Sequence, residues 1–178
     1  ENVGTPWGLS RNQSIGYARI KELGLPTLSE NPQAEYLYFM GCAAYYNELA
    51  LKATVAFVKI LKSAGVNFAV LAEAEGCCGE TVRRMGNEHL FQTMAKKNIT
   101  LLDNWWVKKI ITSCPHCFNT LQNEYSQFDG NYEVIPYVVF LENLLAGGKL
   151  KPLNSQLNSQ PEIVTYHDSC YLGRYNGF

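Results

Sequence analysis

The chain alternates short, dense apolar runs with longer stretches in which apolar positions recur three and four residues apart. Glu35 to Met40 (EYLYFM) is the first dense run, rich in aromatics, and reads as a buried strand. Leu49, Ala53, Ala56, Phe57, Ile60, Leu61 and Ala64 then share one helical face. Lys52, Lys59 and Lys62 take the other face, and Gly65 is placed to stop the helix. Asn67 to Leu71 (NFAVL) reads as a second strand. A helix from about Glu88 to Trp105 buries Leu90, Met94, Leu101 and Trp105. Lys109 to Thr112 and Tyr132 to Ile135 are further strands. Phe140 to Leu145 belong to a helix that Gly147-Gly148 ends, and Ile163 to Tyr166 reads as a fifth strand.

Strands alternating with helices predict the α/β class: a Rossmann-like three-layer sandwich with a mainly parallel sheet and right-handed crossovers. Residues 1–34 carry Gly4, Pro6, Gly8, Pro26 and Pro32 and read as an N-terminal arm or linker. One short helix, Ser14 to Leu23, is expected there, and no chemistry. Residues 35–146 form the domain proper. The polar, repetitive stretch 147–162 is a linker, and 163–178 begins a further unit.

Composition narrows the field. With 178 residues, 47% of them hydrophobic and 17% charged, the chain can build one substantial core and is not a disordered tail. Lys plus Arg number 15 against 16 Asp plus Glu. The net charge of −1 offers no basic footprint for nucleic acid or an anionic membrane. No apolar run reaches the roughly 18 residues of a membrane span, and no export leader opens the chain. The start at Glu1, without Met, suggests a piece of something longer.

The six cysteines change the picture most. Cys42, Cys77, Cys78, Cys114, Cys117 and Cys170 could make disulfides, but a chain with long amphipathic helices does not need such staples, and adjacent Cys77 and Cys78 are hard to bridge. In parallel α/β sheets, ligands sit beyond the carboxyl ends of strands. Cys42, the Cys77-Cys78 pair and the Cys114/Cys117 pair each follow a strand, so three loops can bring five sulfurs to one point. The Cys-Pro-His-Cys stretch opens a helix, with Pro115 suited to its first turn. The unpaired N–H groups there favour thiolate, the form needed for metal ligation or thiol redox chemistry. The vicinal pair suits a multinuclear cluster better than one tetrahedral ion, since five thiolates exceed the four of a closed zinc site or an ordinary cubane cluster. Gly76 and Gly79 flank the pair and would admit a bulky inorganic body.

The arrangement Cys42-(34 residues)-Cys77-Cys78-Gly79-(34 residues)-Cys114-Pro115-His116-Cys117 resembles the cysteine-rich CCG domain. That domain occurs in heterodisulfide reductase B/D subunits and in iron–sulfur subunits of several dehydrogenases. The segment Val164 to Arg174 (VTYHDSCYLGR) resembles the start of a second, truncated copy. The resemblance implies a non-cubane 4Fe–4S cluster held by Cys42, Cys77, Cys78, Cys114 and Cys117, one that handling in air can strip from an isolated chain. Zinc is the alternative metal. Cys170 would be a ligand of a second cluster in a longer protein, with Gly76, Gly79, His116 and His167 close around the ligands. The implied function is an electron-transfer module of a heterodisulfide reductase-like oxidoreductase, non-catalytic by itself. The alternative is a zinc-binding or metal-free subunit-docking domain. The implied partners are a ferredoxin-type iron–sulfur domain, a flavoprotein dehydrogenase, and a quinone or membrane subunit; the expected location is cytoplasmic, at the cytoplasmic face of the membrane in the full-length protein, without direct insertion by this chain. The segment Gly4 to Arg11 (GTPWGLSR) resembles the stretch that joins a ferredoxin-type domain to the first copy.

Overall fold

A computed structural model describes residues 6–151 and 163–178. Its sheet has four parallel strands: β1 (Tyr36–Phe39), β2 (Phe68–Ala69), β3 (Lys109–Thr112) and β4 (Glu133–Pro136), in spatial order β2-β1-β3-β4. Leu37 of β1 pairs with Ala69 on one side and with Ile110 on the other. Strand side chains alternate between faces, and two cores follow from that. Leu37 and Phe39 face one core with Ala69 and Ile110. Tyr38 and Met40 face the second with Phe68 and Ile111.

The helices cover both faces, giving the three expected layers. The short α1 (Tyr17–Glu22) and α2 (Ala43–Tyr46) lie with α3 (Glu48–Ser63) and α7 (Tyr137–Ala146) on the Tyr38 face. The other face carries α4 (Glu80–Arg84), α5 (Glu88–Asn104) and α6 (Pro115–Asn119), the last continuing into a π turn at Thr120–Glu124 and a 3-10 turn at Tyr125–Phe128. Asn47 caps α3 by accepting from the Ala50 amide at 3.0 Å, and Asn87 caps α5 through the Leu90 amide at 3.1 Å. Gly65, at φ +65°, ends α3 as expected.

Three expectations are corrected. The buried stripe of α3 is Thr54, Phe57, Val58 and Leu61, while Leu49 and Ala56 are exposed. Thr54 is buried because it meets the Tyr38 hydroxyl, so a polar-looking position takes the core face. In α5 the buried residues are Phe91, Ala95, Asn98, Ile99 and Leu102, and Trp105 lies at the exposed end of the helix. Ile163 to Tyr166 is not a strand: among the described residues it pairs with no neighbour, and Ile163, Val164 and Tyr166 are exposed. Beyond it, the turn Cys170–Arg174 folds back against α6 and puts Leu172 into the first core. Among the described residues no helix is long and apolar enough to cross a membrane.

Candidate metal centre

The strand order places β1 and β3 side by side while their connections leave in opposite directions. That is the topological switch point at which open α/β sheets bind ligands. Cys42 follows β1 there and Cys114 follows β3. The loop after β2 brings Cys77 and Cys78 in from the side. The five sulfurs form one series: Cys42 meets Cys77, Cys77 meets Cys78, Cys78 meets Cys117, and Cys117 meets Cys114. All five are free thiols; Cys77, Cys78 and Cys117 are buried, Cys42 and Cys114 half-buried.

Backbone N–H groups converge on these sulfurs. Gly79 N–H donates to Cys77 Sγ at 3.4 Å, the Glu80 amide reaches Cys78, and the Cys117 amide reaches Cys114. Contact with Cys117 outweighs burial and, with His116, holds the Cys114 thiol down to about 4. Contacts with Cys117 and Cys77 bring Cys78 down to about 6. Their neighbours move the other way. Cys77 contact and burial raise Cys42. Cys77 is relieved by Cys42 yet pushed up to about 12 by Cys78 and burial. Cys117 rises through Cys114, Cys78 and burial. The series therefore favours thiolate among its members, each of which is flanked by a thiol that can donate to it.

The loops are fixed from below by buried polar groups that the sequence pattern does not single out. Asn98 of α5 donates to the Cys77 carbonyl at 2.9 Å, and the Tyr125 hydroxyl donates to the Cys78 carbonyl at 3.0 Å. Asn98 also donates to the Tyr125 hydroxyl at 2.8 Å. The Glu75 carboxylate has no exposed surface. It accepts from the amides of Met40 and Gly41 at 3.0 and 2.8 Å, tying the vicinal-cysteine loop to the residues before Cys42. Burial pushes its carboxyl up, against the opposing pull of Arg11 and these two amides. A buried Asn in a helical stripe and an acid two residues before a cysteine pair were the available signals.

The space a Cβ would fill at Gly76 and Gly79 is taken by Asn98 and Phe91, at 3.1 and 2.9 Å, so both pack against α5, Gly79 with its N–H on Cys77 Sγ. Gly41 faces the sulfurs instead: at φ +78°, its Cβ would stand 3.2 Å from Cys117 Sγ and 3.5 Å from Cys114 Cβ. His116 Nδ1 lies 4.0 Å from Cys114 Sγ, and its ring meets the Tyr171 ring edge-on at 5.0 Å. Tyr171 also donates to Glu80 Oε1 at 2.9 Å, so the C-terminal turn covers the α4 and α6 side of the site. Cys170 and His167 are exposed and stand outside the sulfur series.

The donor set suits a multinuclear iron–sulfur group: five sulfurs from three loops, N–H donors aimed at them, and a glycine where a side chain would intrude. Among the described residues no group of three or more His, Cys, Asp or Glu is disposed to hold a single metal ion.

The CCG cysteine-rich domain family matches residues 36–122, the span from β1 to just past the Cys114/Cys117 pair. Residues 36–122 belong to the CCG family. The chain is 42% identical over 177 residues to the EtfAB:quinone oxidoreductase of Syntrophomonas wolfei, covering 97% of this chain and 24% of that protein. It is 40% identical over 181 residues to the "Probable iron-sulfur-binding oxidoreductase FadF" of Bacillus subtilis, covering 99% and 25%. It is 34% identical over 161 residues to one component of the dihydromethanophenazine:CoB–CoM heterodisulfide reductase of Methanosarcina barkeri, covering 85% and 37%. The chain thus spans about a quarter to a third of the length of these relatives. No solved structure matches it significantly.

Proposed function

We propose that this chain is an iron–sulfur electron-transfer module of a heterodisulfide reductase-like oxidoreductase. Cys42, Cys77, Cys78, Cys114 and Cys117 hold a non-cubane 4Fe–4S cluster, which when bound supplies one-electron chemistry. The observation that carries this reading is the unbroken series of five thiols at the switch point of the sheet.

The chain's own residues do the tuning. N–H donation from Gly79, Glu80 and Cys117 disperses negative charge on the sulfurs and favours the reduced state. Glu75, Asn98 and Tyr125 hold the loops, so little reorganisation accompanies a change of charge. Residues 163–178 begin a second copy in the longer protein, where Cys170 serves another cluster and His167 stands near it. Electrons pass to and from a ferredoxin-type domain, a flavoprotein dehydrogenase or a quinone-linked membrane protein, at the cytoplasmic face of the membrane. The names of the relatives, a quinone oxidoreductase and a heterodisulfide reductase among them, support redox partners for this chain.

The test is anaerobic reconstitution with iron and sulfide, read as iron and sulfide content per chain and visible absorption. Uptake of both is expected, and Cys77→Ser or Cys114→Ser should abolish it. Unchanged uptake in both variants overturns the ligand assignment, and a colourless protein with one zinc overturns the cluster.

A further inference from the structure

The N-terminal arm is built into the cysteine site. Gly16 lies so close to α2 that a Cβ there would stand 2.6 Å from the Ala44 carbonyl oxygen, and its N–H donates to the Tyr45 carbonyl at 2.9 Å. From this anchor the chain runs back toward Cys42, the residue that precedes α2. Arg11 is almost fully buried. Its guanidinium lies 4.0 Å above the Tyr45 ring, donates to the Ala72 carbonyl at 3.3 Å, and stands 3.9 Å from Glu75 Oε1. The Tyr46 hydroxyl donates to the Leu9 carbonyl at 2.7 Å. The Trp7 indole stacks on the Tyr46 ring at 5.6 Å and 15°, and it is a side-chain hydrogen-bonding partner of Cys42.

These contacts have one geometry in common. Arg11 is pinned beside the carboxylate that fixes Gly41, and the half-exposed Trp7, held by its stack on Tyr46, reaches the Cys42 thiol that follows Gly41. Cys42 is one of the two half-buried members of the series, so its exposed side is where water and oxidants would enter. Tyr46 is the fourth residue after Cys42, and α2 turns it so that Trp7 can rest on it beside the thiol.

We propose that the strap Trp7–Arg11 is the wall of the metal centre at Cys42, with Trp7 as a positioning residue that shields this sulfur and donates its indole N–H to it. This deepens the iron–sulfur reading and rests on it only for the effect on potential. An N–H donor on a ligating sulfur withdraws electron density and stabilises the reduced state, so its removal lowers the midpoint potential.

The test separates the shield from the donor. In the metal-free chain, iodoacetamide labelling of each cysteine is followed by peptide mass spectrometry, with exposed Cys170 as the internal reference. Trp7→Ala should label Cys42 several-fold faster and leave Cys170 unchanged. Trp7→Phe, which keeps a ring on Tyr46, should label Cys42 near the wild-type rate. In the reconstituted chain, Trp7→Phe should keep the iron content and shift the midpoint potential negative. Unchanged Cys42 labelling in Trp7→Ala overturns the shield, and an unchanged potential in Trp7→Phe overturns the donor. If the chain takes up no iron, the cluster reading fails, while the labelling result still decides the strap.

Discussion

The phenol of Tyr125 and the backbone of Cys78 are joined by a 3.0 Å hydrogen bond, although 47 positions separate them in the chain. Tyr125 lies in the 3-10 turn beyond α6, and Cys78 lies in the loop after β2. The bond therefore ties the vicinal cysteines to the element that carries the Cys114/Cys117 pair. Tyr125→Phe should destabilise the chain by about 1–3 kcal/mol, because the Cys78 carbonyl and the Asn98 amide both lose a buried partner. Urea unfolding of the metal-free protein reads the loss, and iron uptake should fall with it.

Gly41→Ala should be more damaging to the site than to the fold. The left-handed backbone costs a side-chain residue about 1–2 kcal/mol. The new methyl would also press on Cys117 Sγ. The expected result is a folded protein by circular dichroism with reduced iron and sulfide content. Wild-type loading in this variant would show that the sulfurs have room to spare.

Removing the Glu75 carboxylate exposes a different weakness. Glu75→Ala strands the Arg11 guanidinium and two loop amides in the interior, and should cost about 3–5 kcal/mol in unfolding free energy. Glu75→Gln keeps an acceptor oxygen and should lose less. Equal stability of both variants and wild type would mean that Arg11 finds another partner.

A pH dependence is expected away from the cysteines. Glu30 accepts hydrogen bonds from the Thr27 amide and hydroxyl, each at 2.9 Å, and the amide bond foremost holds its carboxyl below the usual range. A carboxyl whose folded pKa is depressed contributes stability above its ordinary value of about 4.3, and loses it as pH falls through the folded value. Glu30→Gln should therefore be less stable than wild type at neutral pH, and the gap should close in acid. A gap that persists below the depressed pKa would assign the difference to packing.

Much of this was legible in the pattern of residues. β1 and β3 announce themselves through dense apolar runs, and the cysteines that follow them declare where the site lies. The helix faces were harder, and Thr54 and Asn98 show why. Both look polar in sequence, yet each is buried because a specific partner, the Tyr38 hydroxyl or the Cys77 carbonyl, awaits it across the fold. Ile163 to Tyr166 has strand composition, but a strand exists only with a ladder partner, and composition carries no information about partners. The arm is opaque in sequence for a related reason. Trp7 and Arg11 acquire meaning only once Gly16 brings them back over α2.

All three cysteine loops leave the carboxyl ends of the parallel strands, and this gives the molecule a front and a back. The turns at Gly65 and Trp106 lie at the opposite, amino ends of the strands, where no sulfur of the series lies. A surface tether or fluorescent reporter grafted at either turn would leave the sulfur-bearing end facing outward. The molecule could then be mounted on an electrode in a single orientation.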